Sequence, residues 1–296
     1  MGLAASPRDS VITFQKILII GAPRSGTNLL RDLMARLDGA GTWPCDEINH
    51  VWRHGNIRHP SDALPPGLAR PEVRRYIAGV FTRLAARRGL DTVIEKTCAN
   101  SLRVPFVDRV IDDAKYVFIV RDGVDAAASA AKRWHAGLDL GYRLRKARFV
   151  PPTDVPYYLL RFLGNQLQRL GARGRPANTW GPVFDGMAEA QRGAATIGVC
   201  ARQWRACVEA ASAALAGLPA SRVHRVRYED FVGDPVREFR RIAEFAGKPM
   251  SEQLADHLRR EVSGASRGRG RTELTREELD VVLGIEGPAL AAHGYA

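Results

Sequence analysis

The sequence predicts an α/β fold: a P-loop-like parallel β-sheet flanked by helices and interrupted by an irregular, partly helical cap insertion. Three observations predict it. A short apolar run at 16–20 ends in a glycine-rich turn and gives way to a helical apolar pattern. The same strand-then-helix rhythm returns after residue 90 and again after residue 198. Between 135 and 198 it dissolves into aromatic, arginine and proline residues. Repeated β-α units of this kind bury a parallel sheet between helices.

The elements follow in order. Residues 16–20, Lys-Ile-Leu-Ile-Ile, form a continuous apolar run that reads as a strand buried on both faces. Over 25–37, Leu29, Leu30, Leu33, Met34 and Leu37 recur at helical spacing. A proline-rich stretch at 59–71 precedes a helix at 72–87. Residues 91–95 and 115–120 read as strands, 101–111 and 123–134 as the helices that follow them. An amphipathic helix at 199–215 leads to a strand at 222–226. The helix at 234–246 carries an Asp234 N-cap, Pro235 in its first turn, a Phe239, Ile242, Ala243 and Ala246 stripe, and Gly247 past its end. The stretch 263–271, SGASRGRGR, reads as a flexible basic loop before a last acidic helix. No internal repeat is present, and the organisation expected is one domain over 1–296, with its core at 16–134 and 199–275 and the cap at 135–198.

Composition sets the outer limits. A chain of 296 residues with 45% hydrophobic content can bury a sizeable core. A net charge of +12 suits a partner with several negative charges: a nucleotide, nucleic acid or an anionic membrane. Only six of the 44 basic residues are lysines, so arginine number carries little information and arginine position carries the argument. Cys45, Cys98, Cys200 and Cys207 contain no CxxC pair and read as buried thiols of a reducing compartment. No stretch is long and apolar enough to span a bilayer, and the first residues lack the pattern of a signal peptide. A cytoplasmic location is the expectation. Gly2 and Ser6 match the loose acylation pattern, which occurs often by chance.

Gly21-Ala-Pro-Arg-Ser-Gly-Thr27 stands between an apolar strand and a helix, where backbone N–H groups and the positive helix end bind phosphate oxygens. The alternative is a plain glycine turn with a helix cap. Thr27 follows Gly26 directly, so the lysine that an NTPase P-loop needs is missing, and Arg24 lies inside the loop instead. This disfavours a nucleotide triphosphatase.

The loop resembles the 5′-phosphosulfate loop of sulfotransferases that use 3′-phosphoadenosine-5′-phosphosulfate (PAPS), in the PRSGT form of the tyrosylprotein, carbohydrate and bacterial branches. The resemblance covers most of 16–275 outside the cap. It implies that Gly21, Pro23, Arg24, Ser25, Gly26, Thr27 and Asn28 cradle the 5′-phosphosulfate. Val-Phe-Ile-Val-Arg-Asp-Gly at 117–123, followed by Ser129, is similar to the family's 3′-phosphate site. This implies that Arg121 and Ser129 hold that phosphate, with Arg133 four residues on as in the tyrosylprotein relatives. Arg121 and Asp122 could otherwise be a strand-end ion pair. Val-Arg-Tyr-Glu-Asp-Phe at 226–231 resembles a segment whose tyrosine lies near the adenine, which points to Tyr228; an ordinary core tyrosine is the alternative. The 263–271 stretch falls where relatives close a basic loop over the nucleotide, which implicates Ser266 and Arg267 and leaves Arg269 and Arg271 open.

Sulfuryl transfer needs an acceptor oxygen in line with the leaving phosphate, a base for its proton, and positive charge where negative charge grows. No metal is required, and His50 and His54 lack the acidic companion of a metal motif. Glu95-Lys96-Thr97 ends a predicted strand at the edge where parallel sheets collect ligands. In the cytosolic branch a Lys-Thr-His step supplies the lysine on the sulfuryl oxygens and a histidine base. The resemblance assigns Lys96 to the first role, and Cys98 replaces the histidine. Other branches draw the base from a glutamate in the stretch after the loop, which points to Glu47, with Asp46 and Glu95 as alternatives.

The resemblance implies PAPS as co-substrate, PAP as product and no metal. The acceptor expected is a carbohydrate or glycolipid hydroxyl, ahead of a phenol or a peptide tyrosine, by family analogy alone. Residues 48–56, Tyr157, Tyr158 and Trp180 could line its site or be core. A P-loop kinase or a basic nucleic-acid-binding protein remains the alternative reading; specific nucleic-acid binding is not expected.

Overall fold

The computed structural model describes residues 13–135, 150–157, 159–160 and 180–295. Five strands form one parallel sheet: β1 (Gln15–Ile20), β2 (Ala40–Gly41), β3 (Thr92–Lys96), β4 (Lys115–Val120) and β5 (Val223–Arg227), in the order β2-β3-β1-β4-β5. β1 is central, paired with β3 on one side (Ile17 opposite Ile94) and β4 on the other (Leu18 opposite Tyr116). The chain leaves β1 for β2 and β3 on one side, then crosses to β4. Its direction of winding therefore reverses beside β1, and crevices open at such switch points outside the carboxyl ends of the strands.

Side-chain alternation along the strands sorts the core into two layers. Leu18 and Ile20 with Val93, Tyr116 and Phe118 face α3 (Pro71–Arg88), α4 (Val104–Val110), α5 (Gly123–His135), α7 (Thr196–Ala216) and α12 (Arg276–Ala292), which supply Phe81, Phe106, Ala127, Trp204 and Leu290. Ile17, Ile19, Ile94 and Ile119 face the opposite layer: α1 (Thr27–Met34), α8 (Tyr228–Gly233), α9 (Pro235–Phe245) and α10 (Glu252–Glu261), with Leu30, Phe231, Phe239 and Leu258. Each large apolar side chain so buried contributes about 1.5–3 kcal/mol. The shorter helices are α2 (Asn49–Trp52), α6 (Met187–Gly193) and α11 (Arg269–Glu273).

The strands expected at 16–20, 91–95, 115–120 and 222–226 all form, shifted by no more than one residue. So does the helix at 234–246, whose Asp234 side chain accepts the Arg237 N–H while Gly247 takes a left-handed conformation past the end. Two expectations are corrected. The stretch 101–111 is not one helix: a 3₁₀ turn over Cys98–Leu102 precedes α4, because Pro105 is compatible only with the first turn of a helix. The basic stretch 263–271 is not a free loop, since α11 begins within it at Arg269 and its backbone is hydrogen-bonded to the body of the protein. All four cysteines are free thiols; Cys45 is half-buried and the others are buried. Among the described residues no helix is long and apolar enough to cross a membrane. Gly2, Ser6 and Tyr158 lie outside the described residues.

Candidate active site

The switch-point crevice brings the ends of β1, β3 and β4 together, and with them the three motifs. After β1 the chain enters the glycine loop, where Arg24 and Gly26 both have left-handed backbone, at φ 67° and 84°. Among the described residues Arg24 is the only non-glycine in that region. Such a conformation costs about 1–3 kcal/mol and persists where its surroundings enforce it. Here the Arg24 carbonyl accepts a hydrogen bond from Arg121 Nη1 (3.1 Å), and Arg24 Nε donates to Ser129 Oγ (2.9 Å). A side chain at Gly26 would meet the Tyr228 ring at 2.6 Å, and one at Gly21 would meet the Ile119 carbonyl at 2.7 Å. Both positions therefore need glycine. The first N–H groups of α1 have no partner within the helix and lie where an anion can use them.

The loop reaches the 3₁₀ turn after β3 through two contacts. Gly21 N donates to Ser101 Oγ (3.1 Å), and the Thr27 hydroxyl lies 3.6 Å from Cys98 Sγ. Next to Cys98 stands an ion pair: Lys96 Nζ donates to Glu47 Oε1 at 2.9 Å, and Cys98 N donates to the same oxygen at 3.3 Å. Burial opposes the lysine charge, but Glu47 and Cys98 outweigh it and hold the Lys96 pKa above its ordinary value. The segment carrying Glu47 is fastened by Arg31 Nη1, which donates to the Cys45 and Asp46 carbonyls, and by Thr97 Oγ1, which accepts the Ile48 N–H.

The three carboxylates considered from sequence occupy different settings. Glu95 is buried, with Thr97 Oγ1 (2.5 Å) and Asn100 Nδ2 (3.0 Å) donating to its two oxygens. Burial pushes its pKa up to about 7. Asp46 is half-exposed, 3.9 Å from Arg31. Glu47 alone is in contact with Lys96. Burial, with Glu47 adding to it, pushes the Cys98 thiol up to about 12, so it stays protonated and is no substitute for a histidine base.

On the β4 side a cleft of about 470 Å³ opens between the loop, α5 and α11. Arg24, Gly26, Thr27, Asn28, Arg121, Ser129, Tyr228, Ser266 and Arg269 line it. Arg121 is buried, its guanidinium stacked on the Tyr228 ring at 4.6 Å, and its Nε has no hydrogen-bond partner. Partial burial, then repulsion from Arg121 and Arg133, lowers the Arg24 pKa below its ordinary value, as expected of a cationic site that an anion would relieve. The orphaned Nε, the crowded cations and the glycine floor under Tyr228 fit a phosphorylated nucleotide.

Most of the residues singled out from sequence come together here. Pro23 and Ser25 are buried in the loop, and Arg133 is exposed on α5 close enough to affect Arg24. Arg267 is exposed near Gly233 and does not line the cleft; Arg269 does. Arg121 pairs with Asp125 (3.3 Å), not with Asp122. In the 48–56 segment, His50, Val51, Trp52, Arg53 and Asn56 are buried; Trp180 packs on the core and Tyr157 is half-buried. Asp125 was missed. Its one sequence signal is a carboxylate four residues after Arg121, the spacing of a helical ion pair. Among the described residues no three His, Cys, Asp or Glu side chains cluster as a metal site.

Comparisons with known proteins bear on the family and the fold. The model of the Sulfotransferase family matches residues 16–150 and 179–252. No curated protein matches the sequence. Among solved structures, the sulfotransferase domain of the Synechococcus PCC 7002 olefin synthase aligns at TM-score 0.53 and 16% identity, covering 91% of this chain and 94% of that one. A sulfotransferase from Mycobacterium avium aligns at TM-score 0.50 and 13% identity, covering 95% and 77%. At such identities the likeness concerns the fold.

Proposed function

The chain belongs to the sulfotransferase family, and from that premise we propose that it binds PAPS in the crevice beside β1 and transfers its sulfuryl group to a hydroxyl with Glu47 as base. PAPS supplies an activated sulfuryl group on a phosphate leaving group, and its transfer leaves PAP. Arg121 and Ser129, with Arg133, hold the 3′-phosphate, Tyr228 lies near the adenine, and Arg24 and the loop N–H groups receive the 5′ side. Glu47 takes the proton that the acceptor hydroxyl gives up. Lys96 holds Glu47 in place and keeps a positive charge where negative charge grows.

The observation that carries this reading is the single chain of contacts through the site. It runs from Glu47 to Lys96 and Cys98, from Cys98 to Thr27, through the loop to Arg24, and from Arg24 to Ser129 and Arg121. One end is a base beside a cation; the other is an anion pocket. The acceptor we propose, on family analogy alone, is a carbohydrate or glycolipid hydroxyl.

Thermal stabilisation by PAP, compared with ATP and AMP, tests the nucleotide. At about a hundredfold over its Kd, PAP should add about 2.7 kcal/mol. Stabilisation by ATP with none by PAP would overturn the proposal.

A further inference from the structure

We infer that Asp125 is a positioning residue that holds the basic 263–271 segment against the nucleotide cleft, an inference that rests on the reading of that cleft as the PAPS site. Asp125 stands in the first turn of α5 and is 3% exposed. Its Oδ1 accepts the Gly270 N–H at 2.7 Å. Its Oδ2 accepts the Gly268 N–H at 2.8 Å and Arg121 Nη2 at 3.3 Å. One carboxylate thus ties the arginine of the 3′-phosphate pocket to a segment more than 140 residues away along the chain.

Charge explains why these contacts concern position. A buried carboxylate in an anion cleft repels the ligand and is costly unless its charge is compensated. Asp125 has that compensation from one guanidinium and two backbone N–H groups, and two of its three donors are in the segment. Two neighbouring contacts reinforce the hold. Arg121 Nη2 donates to the Ser266 carbonyl (2.6 Å), and the hydroxyls of Ser266 and Tyr228 are 2.8 Å apart. The segment's backbone lies so close to α5 that a side chain at Gly270 would meet the Val124 carbonyl at 2.6 Å. Ser266 and Arg269 reach the cleft because the backbone beside them is held at Gly268 and Gly270.

Two variants test this by independent routes. Asp125→Asn keeps the shape but removes the charge and one acceptor. Gly270→Ala lifts the same backbone through clashes with the Val124 carbonyl and Asp125 Cα while leaving the carboxylate's charge in place. In both, PAP affinity and KM for PAPS should weaken on the order of ten- to a hundredfold, the scale of one lost hydrogen bond to a charged group, while kcat at saturating PAPS changes far less. Trypsin should cut after Arg267, Arg269 or Arg271 faster than in the wild type, and added PAP should slow the cutting. Unchanged PAP affinity and unchanged cleavage in either folded variant would overturn the inference, as would a loss confined to kcat. If the wild type fails to bind PAP, the PAPS reading falls; the cleavage comparison without nucleotide still decides whether Asp125 holds the segment.

Discussion

Breaking the Lys96–Glu47 pair from its two sides should give unequal losses of stability, because the partners are unequally buried. The Lys96 side chain is 2% exposed and that of Glu47 22%. Glu47→Gln strands an ammonium with almost no access to water, and a buried charge stripped of its partner costs about 3–5 kcal/mol. Lys96→Met leaves a carboxylate that still accepts the Cys98 N–H and reaches solvent. Its cost should fall toward the roughly 1.5–3 kcal/mol of one charged hydrogen bond. The double variant removes both charges and should lose less than the sum of the singles, by on the order of 0.5–3 kcal/mol. Urea unfolding measures all three, provided the m-value is unchanged. Turnover, read as PAP release from PAPS with a hydroxyl acceptor, should fall about 10²–10³-fold without Lys96 and about 10²–10⁴-fold without the Glu47 base. Equal and additive stability losses would refute the buried pair. Unchanged turnover in Glu47→Gln would remove that residue as base.

Two further outcomes follow from the same geometry. Arg121→Ala should weaken PAP binding by at least about 1.5–3 kcal/mol, since it also releases the Arg24 and Ser266 carbonyls; equal PAP affinity by calorimetry would sink the 3′-phosphate assignment. Glu95 has its folded pKa raised from 4.5 to about 7, so across that window the folded chain keeps a proton that the unfolded chain has released, and stability falls as pH rises. At about 1.4 kcal/mol per pKa unit the loss is up to about 3 kcal/mol. Glu95→Gln should lack it; parallel pH courses of urea unfolding for wild type and variant would overturn this.

What the sequence made legible was whatever has a short-range cause. β1 and β4 announce themselves as apolar runs buried on both faces, and α9 by its cap, its proline and its final glycine. Lys96 and Arg121 stand at or just beyond strand ends and Ser129 in the helix that follows β4, so their positions were readable once these elements were. β2 was not readable, because a two-residue edge strand has no periodicity to detect. Nor was Asp125 as an anchor of the 263–271 segment, since both of its backbone donors come from that distant segment and an N–H group is the same in every residue but proline. From sequence, Gly270 reads as part of a flexible basic loop. Its requirement is steric, and the Val124 carbonyl that imposes it is visible only in three dimensions.

With Glu47 as the proposed base, Cys98 in the place of the histidine that the resemblance expects has a structural consequence. A base at position 98 would be positioned by the turn that closes β3, with little else needed to aim it. Glu47 comes from the connection between β2 and α2, so its aim has to be built: Arg31 holds two carbonyls of that connection, Thr97 holds the Ile48 N–H, and Lys96 and Cys98 N hold the carboxylate. Two of these three fixings start from the Lys96–Cys98 strand end. The same three residues that lack the histidine therefore supply the grip on its proposed replacement, and Thr97 in turn leans on the buried Glu95. On this argument the buried carboxylate supports the base from below, through a hydroxyl that would lose both contacts in Thr97→Val and keep them in Thr97→Ser.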